Sequence, residues 1–136
     1  QQRPGDYGQL ARRQLMTGAF FTAGDYTHAA RRRLEMIAEV ETVLREVDIL
    51  LCASSMDPAC RIDRPAELER TYPRQARTPF NVTGHPAIAM MAGLSVNGLP
   101  LSVQFAGRYF DEATVLQVAR AWERASGVDS KHPPIL

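Results

Sequence analysis

Residues 78–107 contain two apolar runs that an Asn-Gly pair separates. The second run, 101–106, alternates larger apolar residues with smaller or polar ones, which is the period of a β-strand. The larger members are Leu101, Val103 and Phe105. The first run, 87–91, carries no charge and fits a buried strand or a buried helix. Because Asn97 and Gly98 tolerate the positive φ angles of a tight turn, we expect two adjacent antiparallel strands in the middle of a sheet.

Upstream of this hairpin, the spacing of apolar residues predicts two helices and one more strand. A helical period predicts a short helix within 7–21 and a long amphipathic helix within 26–47, for which Asp25 is the expected N-cap. The segment 47–52 follows at once, and its core is apolar on both faces. Such a strand is typical of a parallel or mixed sheet that is covered on both sides.

Prolines, a glycine and a capping residue mark the boundaries of the remaining segments. Residues 53–77 are interrupted by prolines and predict a long surface excursion with one helical turn near 66–70. A last helix is expected at 112–126, with Asp111 as its N-cap and Gly127 as its stop.

Composition argues against two classes of partner. The net charge is +1 and 23% of residues are charged, so nothing favours general binding to nucleic acid or to an anionic membrane. No uninterrupted apolar stretch reaches the ~20 residues of a membrane-spanning helix, and no signal-peptide pattern opens the chain. We expect a cytoplasmic protein that binds neither nucleic acid nor membranes.

Metal and cofactor chemistry finds no support in the sequence. His28, His85 and His132 are far apart, and a zinc site normally needs three or four suitably spaced ligands. Neither a phosphate-binding loop nor a dinucleotide-binding glycine motif occurs. We therefore expect no metal and no cofactor.

Two candidate nucleophiles lie at the end of the predicted strand. Cys52 ends an apolar run, which favours a buried structural thiol, since no neighbouring base is evident that would form the thiolate. Ser54 and Ser55 follow it, but no glycine-rich loop surrounds them. A small hydrolase that uses Ser54 or Cys52 is thus a disfavoured hypothesis.

Three ordered blocks resemble a known family. They are TPFNVTGHPA at 78–87, GLPLSVQFAGR at 98–108 and FDEATVL at 110–116. In this order and spacing, the chain resembles the C-terminal portion of an amidase signature family enzyme, either an amidase or the related subunit of an amidotransferase. The resemblance implies an α/β fold in which a mixed β-sheet is flanked by helices. It also implies that residues 1–136 are the C-terminal part of a single amidase domain, with the catalytic core upstream of this chain.

The same resemblance implies hydrolysis of a carboxylic amide C–N bond. Enzymes of the family use a serine nucleophile, a second serine next to a cis peptide, and a lysine base. This chain has a single lysine, Lys131, and no loop rich in glycine and serine. We therefore assign no catalytic residue and expect the chain alone to be inactive. The implied partner is a small-molecule amide substrate of the complete enzyme, for which a homodimer is one arrangement that the resemblance allows.

The segment that enters the hairpin is implied to line the substrate pocket. The candidates are Thr78, Phe80, Asn81, Thr83 and His85. A structural role is the open alternative, in which Asn81 hydrogen-bonds the local backbone and Phe80 belongs to the core.

Arg74 and Arg77 bear on the substrate class. Arg74 occupies the position where amidotransferase members of the family have an aspartate that holds the ammonium group of an amino-acid substrate. The arginine favours a general amidase and would suit an acidic substrate, although substrate contact by Arg74 or Arg77 is left open.

The alternative function is a non-catalytic standalone domain that binds or assembles with a partner.

Overall fold

A computed structural model of the chain describes residues 3–128, so the tail at 131–136, for which the sequence predicts an extended terminus, lies outside the described residues. The elements in chain order are a 3-10 helix Pro4–Asp6, α1 Gln9–Gly18, α2 Ala23–Leu44, β1 Leu50–Ala53, α3 Pro65–Thr71, α4 Thr78–Thr83, β2 Ala87–Leu94, β3 Pro100–Ala106 and α5 Glu112–Ser126. The chain divides within α2 into two units, Gln1–Met36 and Ile37–Leu136. Among residues 3–128, no helix combines the length and the apolar character that crossing a membrane requires.

The start of α2 is fixed by a reciprocal pair of side chains. Thr22 precedes the helix, and its hydroxyl accepts a hydrogen bond of 3.1 Å from the backbone N–H of Asp25. In return, Asp25 Oδ2 accepts from the Thr22 backbone N–H at 2.8 Å and from its hydroxyl at 2.7 Å. These bonds from Thr22 lower the pKa of the Asp25 carboxyl. The expectation that Asp25 is the N-cap is therefore wrong. Thr22 is the N-cap, and Asp25, at the third helical position, forms a capping box with it.

The first unit buries no core of its own. Every residue from 5 to 35 is exposed. The large apolar side chains among them are Tyr7, Leu10, Leu15, Met16, Phe20, Phe21, Tyr26 and Leu34. So many exposed large apolar side chains within one segment are typical of a surface that another part of a protein covers.

The second unit contains a three-stranded sheet in the order β1-β3-β2, which confirms the α/β class. Both pairings are antiparallel, with Leu51 opposite Phe105 and Ile88 also opposite Phe105. The predicted antiparallel hairpin is thus confirmed. Its expected place in the middle of the sheet holds for β3 only, since β2 lies at an edge within the described residues. Within the described residues β1 pairs antiparallel with β3. Leu51 is 57% exposed, so the cover on both faces that the sequence predicts for β1 is absent from the described residues.

The hairpin turn matches the sequence pattern. The backbone N–H of Ser95 donates to Leu99 O at 2.8 Å, and Gly98 adopts a φ of 75°, which favours glycine. In β2, exposed and half-buried residues alternate, with an irregularity between Met91 and Gly93. The expectation that 87–91 is fully buried is therefore wrong, because β2 is an edge strand here.

Helix α5 covers the sheet and has the predicted ends. Asp111 Oδ1 accepts from the backbone N–H of Thr114, and Gly127 ends the helix with a φ of 62°. The core residues under the helix are Phe105, Ala106, Val115 and Ala119. The indole Nε1 of Trp122 donates to Met91 O at 2.9 Å, and this bond attaches α5 to β2. The sequence pattern predicts that Leu116 lies on the apolar face of α5 together with Val115 and Ala119, but its side chain is 58% exposed.

Arg108 joins the end of β3 to the end of α2. Its Nε donates to Leu44 O at 2.9 Å, and its Nη2 donates to Val47 O and Asp48 Oδ1, both at 3.1 Å. The guanidinium therefore satisfies carbonyls that a helix end leaves unpaired. Leu44 is almost fully buried at the same point.

Candidate functional site

The segment predicted to line a pocket begins with a short helix that the sequence pattern did not predict. Pro79 lies in the first turn of α4, where its missing N–H costs no helical hydrogen bond. Gly84 ends the helix with a φ of 84°, and its N–H donates to Phe80 O at 2.7 Å. This turn redirects the chain so that His85 becomes a buried residue.

A cavity of about 180 Å³ lies beside α4. We call it the α4 cavity; its lining residues are Ser54, Arg77, Phe80, Asn81, His85, Ala87, Ile88, Ala89 and Gln104. Three of the five predicted pocket residues, Phe80, Asn81 and His85, therefore meet at one cavity. Thr78 is exposed and Thr83 is fully buried, and neither lines it.

His85 is held in place by both of its ring nitrogens. Nε2 lies 3.0 Å from Glu41 Oε1, and Nδ1 lies 2.9 Å from Thr83 Oγ1. The ring stacks on Tyr109 with 4.2 Å between centroids, and the Tyr109 hydroxyl donates to Thr83 O. Since a carboxylate only accepts, Nε2 carries a hydrogen towards Glu41. His85 thus contributes carbon atoms of its ring to the cavity lining, and neither ring nitrogen is free to act as a base.

Gln104 is a cavity residue that the sequence pattern did not single out. It is 3% exposed, and its Nε2 donates to Ala53 O at 3.2 Å and to Ala76 O at 3.0 Å. These two bonds use both amide hydrogens and fix the orientation of the side chain. Gln104 lines the α4 cavity, and within residues 3–128 no donor hydrogen-bonds its Oε1. The available signal was a polar residue at an inward position of a central strand.

Ser54 is the second buried polar residue of the α4 cavity. It is 4% exposed, its backbone N–H donates to Ser102 O at 3.1 Å, and its carbonyl accepts from the Arg77 N–H at 3.2 Å. The backbone is therefore fixed on both sides. No described residue hydrogen-bonds the Ser54 hydroxyl, which lines the cavity.

Asn81 and Arg77 complete the polar lining. The side chain of Asn81 is exposed and has no hydrogen bond to any described residue, so the alternative in which it satisfies the local backbone is not supported. Arg77 Nη1 donates to Ser55 Oγ at 2.8 Å. The other guanidinium hydrogens have no acceptor within the described part of the chain.

Arg74 lies at a different cavity of about 280 Å³, which Cys60 and Tyr72 also line. Its Nη1 is 3.1 Å from Asp57 Oδ1. Both cysteines are free and half-buried. Within residues 3–128, no group of three or more His, Cys, Asp or Glu side chains is arranged to hold a metal ion.

An antiparallel sheet covered by a helix, with a short helix and a polar cavity beside it, defines an α/β protein whose candidate site is the segment that contains α4. A model of the Amidase family matches residues 1–116, which is most of the chain. The chain therefore belongs to the amidase family, as the resemblance of its three sequence blocks predicts.

Individual relatives agree with this assignment. The putative amidase AmiD of Mycobacterium tuberculosis is 33% identical over 138 residues, which cover 98% of this chain and 29% of AmiD. The crystal structure of a glutamyl-tRNA(Gln) amidotransferase subunit from Thermotoga maritima matches with 32% identity and a TM-score of 0.67, over 88% of this chain and 28% of that one. The crystal structure of an amidase matches with 26% identity and a TM-score of 0.80, over 91% and 30% respectively. The chain thus spans less than a third of the length of these relatives.

Proposed function

We propose that this chain is the C-terminal part of an amidase that hydrolyses a carboxylic amide C–N bond, and that it forms one wall of the amide-binding pocket. The observation that carries the proposal is the α4 cavity, which forms where the family-like block 78–87 meets the sheet. In this proposal the serine nucleophile, the second serine and the lysine base come from residues outside this chain, and the chain alone is inactive. The complete enzyme acts in the cytoplasm on a small-molecule amide, as a monomer or a homodimer.

The described residues fit a role in binding rather than in bond cleavage. Amide hydrolysis needs a nucleophile, a group that takes and returns its proton, and donors for the oxyanion. Ser54 has a hydroxyl in the cavity, but no base contacts it within residues 3–128. His85, also in the cavity, has both nitrogens engaged by Glu41 and Thr83. What the cavity does provide is polar groups and an apolar wall, which position a substrate.

The substrate is proposed to be that of a general amidase. Arg74, which pairs with Asp57 Oδ1, puts a guanidinium where amidotransferase members of the family have an aspartate, and a cation does not hold the ammonium group of an amino acid. The similarity to a glutamyl-tRNA(Gln) amidotransferase makes glutamine use the competing proposal. Comparing the hydrolysis of simple aliphatic amides with that of glutamine by the native enzyme distinguishes the two.

The first test is the intact mass of the native protein, detected with an antibody against this sequence. We expect a species of roughly three times the 15.1 kDa of this chain, given that the chain covers 29% of AmiD. That species should hydrolyse amides. A native species near 15.1 kDa that lacks amidase activity would contradict the proposal.

The second test changes the cavity in that native enzyme. Asn81→Ala should raise KM about fivefold and leave kcat within about twofold, because it removes one hydrogen-bonding group from the substrate pocket. Gln117→Ala, which removes an amide from the exposed face of α5, is the matched control and should change neither constant. If the two substitutions changed KM and kcat equally, the proposal that the α4 cavity is part of the substrate pocket would be wrong.

A non-catalytic domain that assembles with a partner is the second candidate. The exposed apolar side chains between residues 5 and 35 favour it, because they need a covering surface. A native species near 15.1 kDa that co-purifies with a second polypeptide, without hydrolysing amides, would establish this alternative.

A further inference from the structure

We propose that Asn97, at the tip of the β2–β3 hairpin, is a site of spontaneous covalent modification in the folded protein, and that the hydrogen bonds of Ser95 limit its rate. The reaction converts Asn97 to aspartate and isoaspartate without an enzyme. It is independent of the proposed function, because the hairpin turn is not part of the α4 cavity.

The reaction takes place between two adjacent residues. The backbone nitrogen of Gly98 attacks the side-chain carbonyl carbon of Asn97, and the side-chain nitrogen leaves as ammonia with the hydrogen of the Gly98 amide. Water then opens the resulting five-membered succinimide ring. Opening at the backbone carbonyl gives isoaspartate, and opening at the side-chain carbonyl gives aspartate. Because the reacting atoms belong to neighbouring residues, no second molecule has to be positioned for the first step.

The hairpin tip leaves both reacting groups accessible. Residues 96–100 are all exposed, and the side chain of Asn97 has no hydrogen bond to any other residue among 3–128. Gly98 has no side chain beside the attacking nitrogen, and an added Cβ would meet no atom within 4 Å outside the two neighbouring residues. Since glycine adopts many backbone conformations, this peptide unit can rotate towards the geometry of the ring at little cost.

Three hydrogen bonds around Ser95 hold the turn closed. The attacking group itself, the Gly98 N–H, donates to Ser95 O at 2.9 Å. The Ser95 N–H donates to Leu99 O at 2.8 Å, and Ser95 Oγ accepts from the Leu99 N–H at 3.1 Å. Attack therefore requires the turn to open locally, which is a low-energy fluctuation for an exposed segment. Ser95 thus slows the reaction without taking part in it.

Asn81, the other asparagine of the chain, provides an internal comparison. It lies within α4, and the residue after it is Val82, whose branched side chain crowds the neighbouring backbone nitrogen. Attack at Asn81 would require part of α4 to unwind. The same polypeptide therefore contains one asparagine in a reactive setting and one in a protected setting.

The two products differ in their effect on the hairpin. Isoaspartate adds one CH₂ group to the backbone between positions 97 and 98, so the bonds between Ser95 and Leu99 cannot keep their present geometry. Aspartate leaves the length of the backbone unchanged. Either product adds a negative charge and lowers the formal net charge of the chain from +1 to zero. The far end of the hairpin, where Ala87 pairs with Ala106, should be unaffected.

Mass spectrometry of the native polypeptide that carries this sequence tests the proposal. The folded protein is incubated in mildly alkaline buffer and digested with trypsin, which cleaves after Arg77 and Arg108 and releases both asparagines in one peptide. Fragment ions assign the exchange of NH₂ for OH to position 81 or 97, and a sample without incubation corrects for conversion during digestion. Synthetic peptides with aspartate or isoaspartate at position 97 are the chromatographic standards. We expect Asn97 to convert at least about tenfold faster than Asn81, because opening the turn costs less free energy than unwinding α4.

Two serine variants test the control of the rate by the turn. Ser95→Ala removes the acceptor of the Leu99 N–H and should speed the conversion of Asn97 about threefold. Ser102→Ala, the same change within β3 of the same hairpin, is the matched control and should leave the rate unchanged. Incubation in urea, where the turn is open, gives the upper limit of the rate.

Each part of the proposal has a result that would overturn it. If Asn97 stayed intact in the folded protein but converted in urea, the native structure would prevent the reaction and the proposal would be wrong. Equal rates at Asn97 and Asn81 would also overturn it, because the exposed turn would then confer no reactivity. Equal rates in the Ser95 and Ser102 variants would refute the role of Ser95.

Discussion

Gly107 lies where β3 meets α5, and Gly107→Ala should destabilise the protein by steric overlap alone. An added Cβ would lie 2.7 Å from Val115 Cγ2 and 3.4 Å from Ile49 Cδ1. Apolar carbon atoms prefer a separation of about 3.5–4.0 Å, so the first contact is too short by roughly 0.8 Å. Val115 is buried in a helix, where its side chain strongly prefers one rotamer, and α5 must shift to make room. We expect a loss of about 2 kcal/mol in the free energy of unfolding.

A double-mutant cycle tests this explanation directly. Val115→Ala removes the overlapping methyl group, so Gly107→Ala should cost less than about 0.5 kcal/mol in that background, although Val115→Ala alone costs about 2 kcal/mol. Urea unfolding of the native polypeptide, followed by circular dichroism, gives the four free energies. Gly18→Ala is the control, because no atom lies within 4 Å of an added Cβ and the residue is helical. An equal cost of Gly107→Ala in both backgrounds would refute the steric argument.

Three further predictions concern other contacts. His85→Leu should cost about 2 kcal/mol, mainly because the buried Thr83 hydroxyl loses its partner; urea unfolding measures the loss, and unchanged stability would contradict the structural role of His85. Trp122→Phe should cost about 1–2 kcal/mol, since the indole N–H bond to Met91 O disappears, and protection of the β2 amides from hydrogen exchange should fall with it. The lowered pKa of Asp25 means that its stabilisation of α2 is complete above the unfolded-state pKa and is lost as the pH falls through the lower folded-state value. Asp25→Asn should abolish this acid-side loss of helicity, which circular dichroism detects, and an unchanged pH profile would argue against the role of Asp25.

Local patterns predicted the parts of the fold that local interactions determine. The hairpin followed from alternation and from Asn97-Gly98, and α5 followed from its apolar period between Asp111 and Gly127. The N-cap of α2 was placed three residues late, because Thr22 and Asp25 are both capping residue types and only the geometry distinguishes their positions.

Local sequence patterns did not predict which distant β-strands pair with each other. The apolar run at β1 was compatible with several sheet arrangements, and its antiparallel register against β3 depends on residues about fifty positions later. Helix α4 has only 6 residues and therefore shows no helical period. A short helix with proline in its first turn and glycine at its end shows capping signals in the sequence but no apolar stripe.

The candidate site was predicted only in part, because several of its contacts join residues that are far apart in the sequence. The family-like block located Phe80, Asn81 and His85 at one cavity, although substrate binding there stays a prediction. The i,i+4 spacing of Glu41 and Arg45 in the sequence predicts a pair on the helix surface, whereas in the structure Glu41 contacts His85, 44 residues further on. The role of Gln104 depends on two carbonyls, one at Ala53 at the end of β1 and one at Ala76 before α4, which no sequence pattern brings together.

The contact between Arg108 and the end of α2 sets an order of events during synthesis. The two partners, Arg108 and Leu44, are 64 residues apart, so a ribosome has completed α2 long before it adds the residue that satisfies the last carbonyl of the helix. Until then the Leu44 carbonyl lacks this partner, and the end of α2 is less stable. The connection from α2 to β1 therefore acquires its final bonds only after both strands of the hairpin have been translated. A nascent chain stalled before Arg108 would contain every residue of α2, β1 and the hairpin without the guanidinium that joins them.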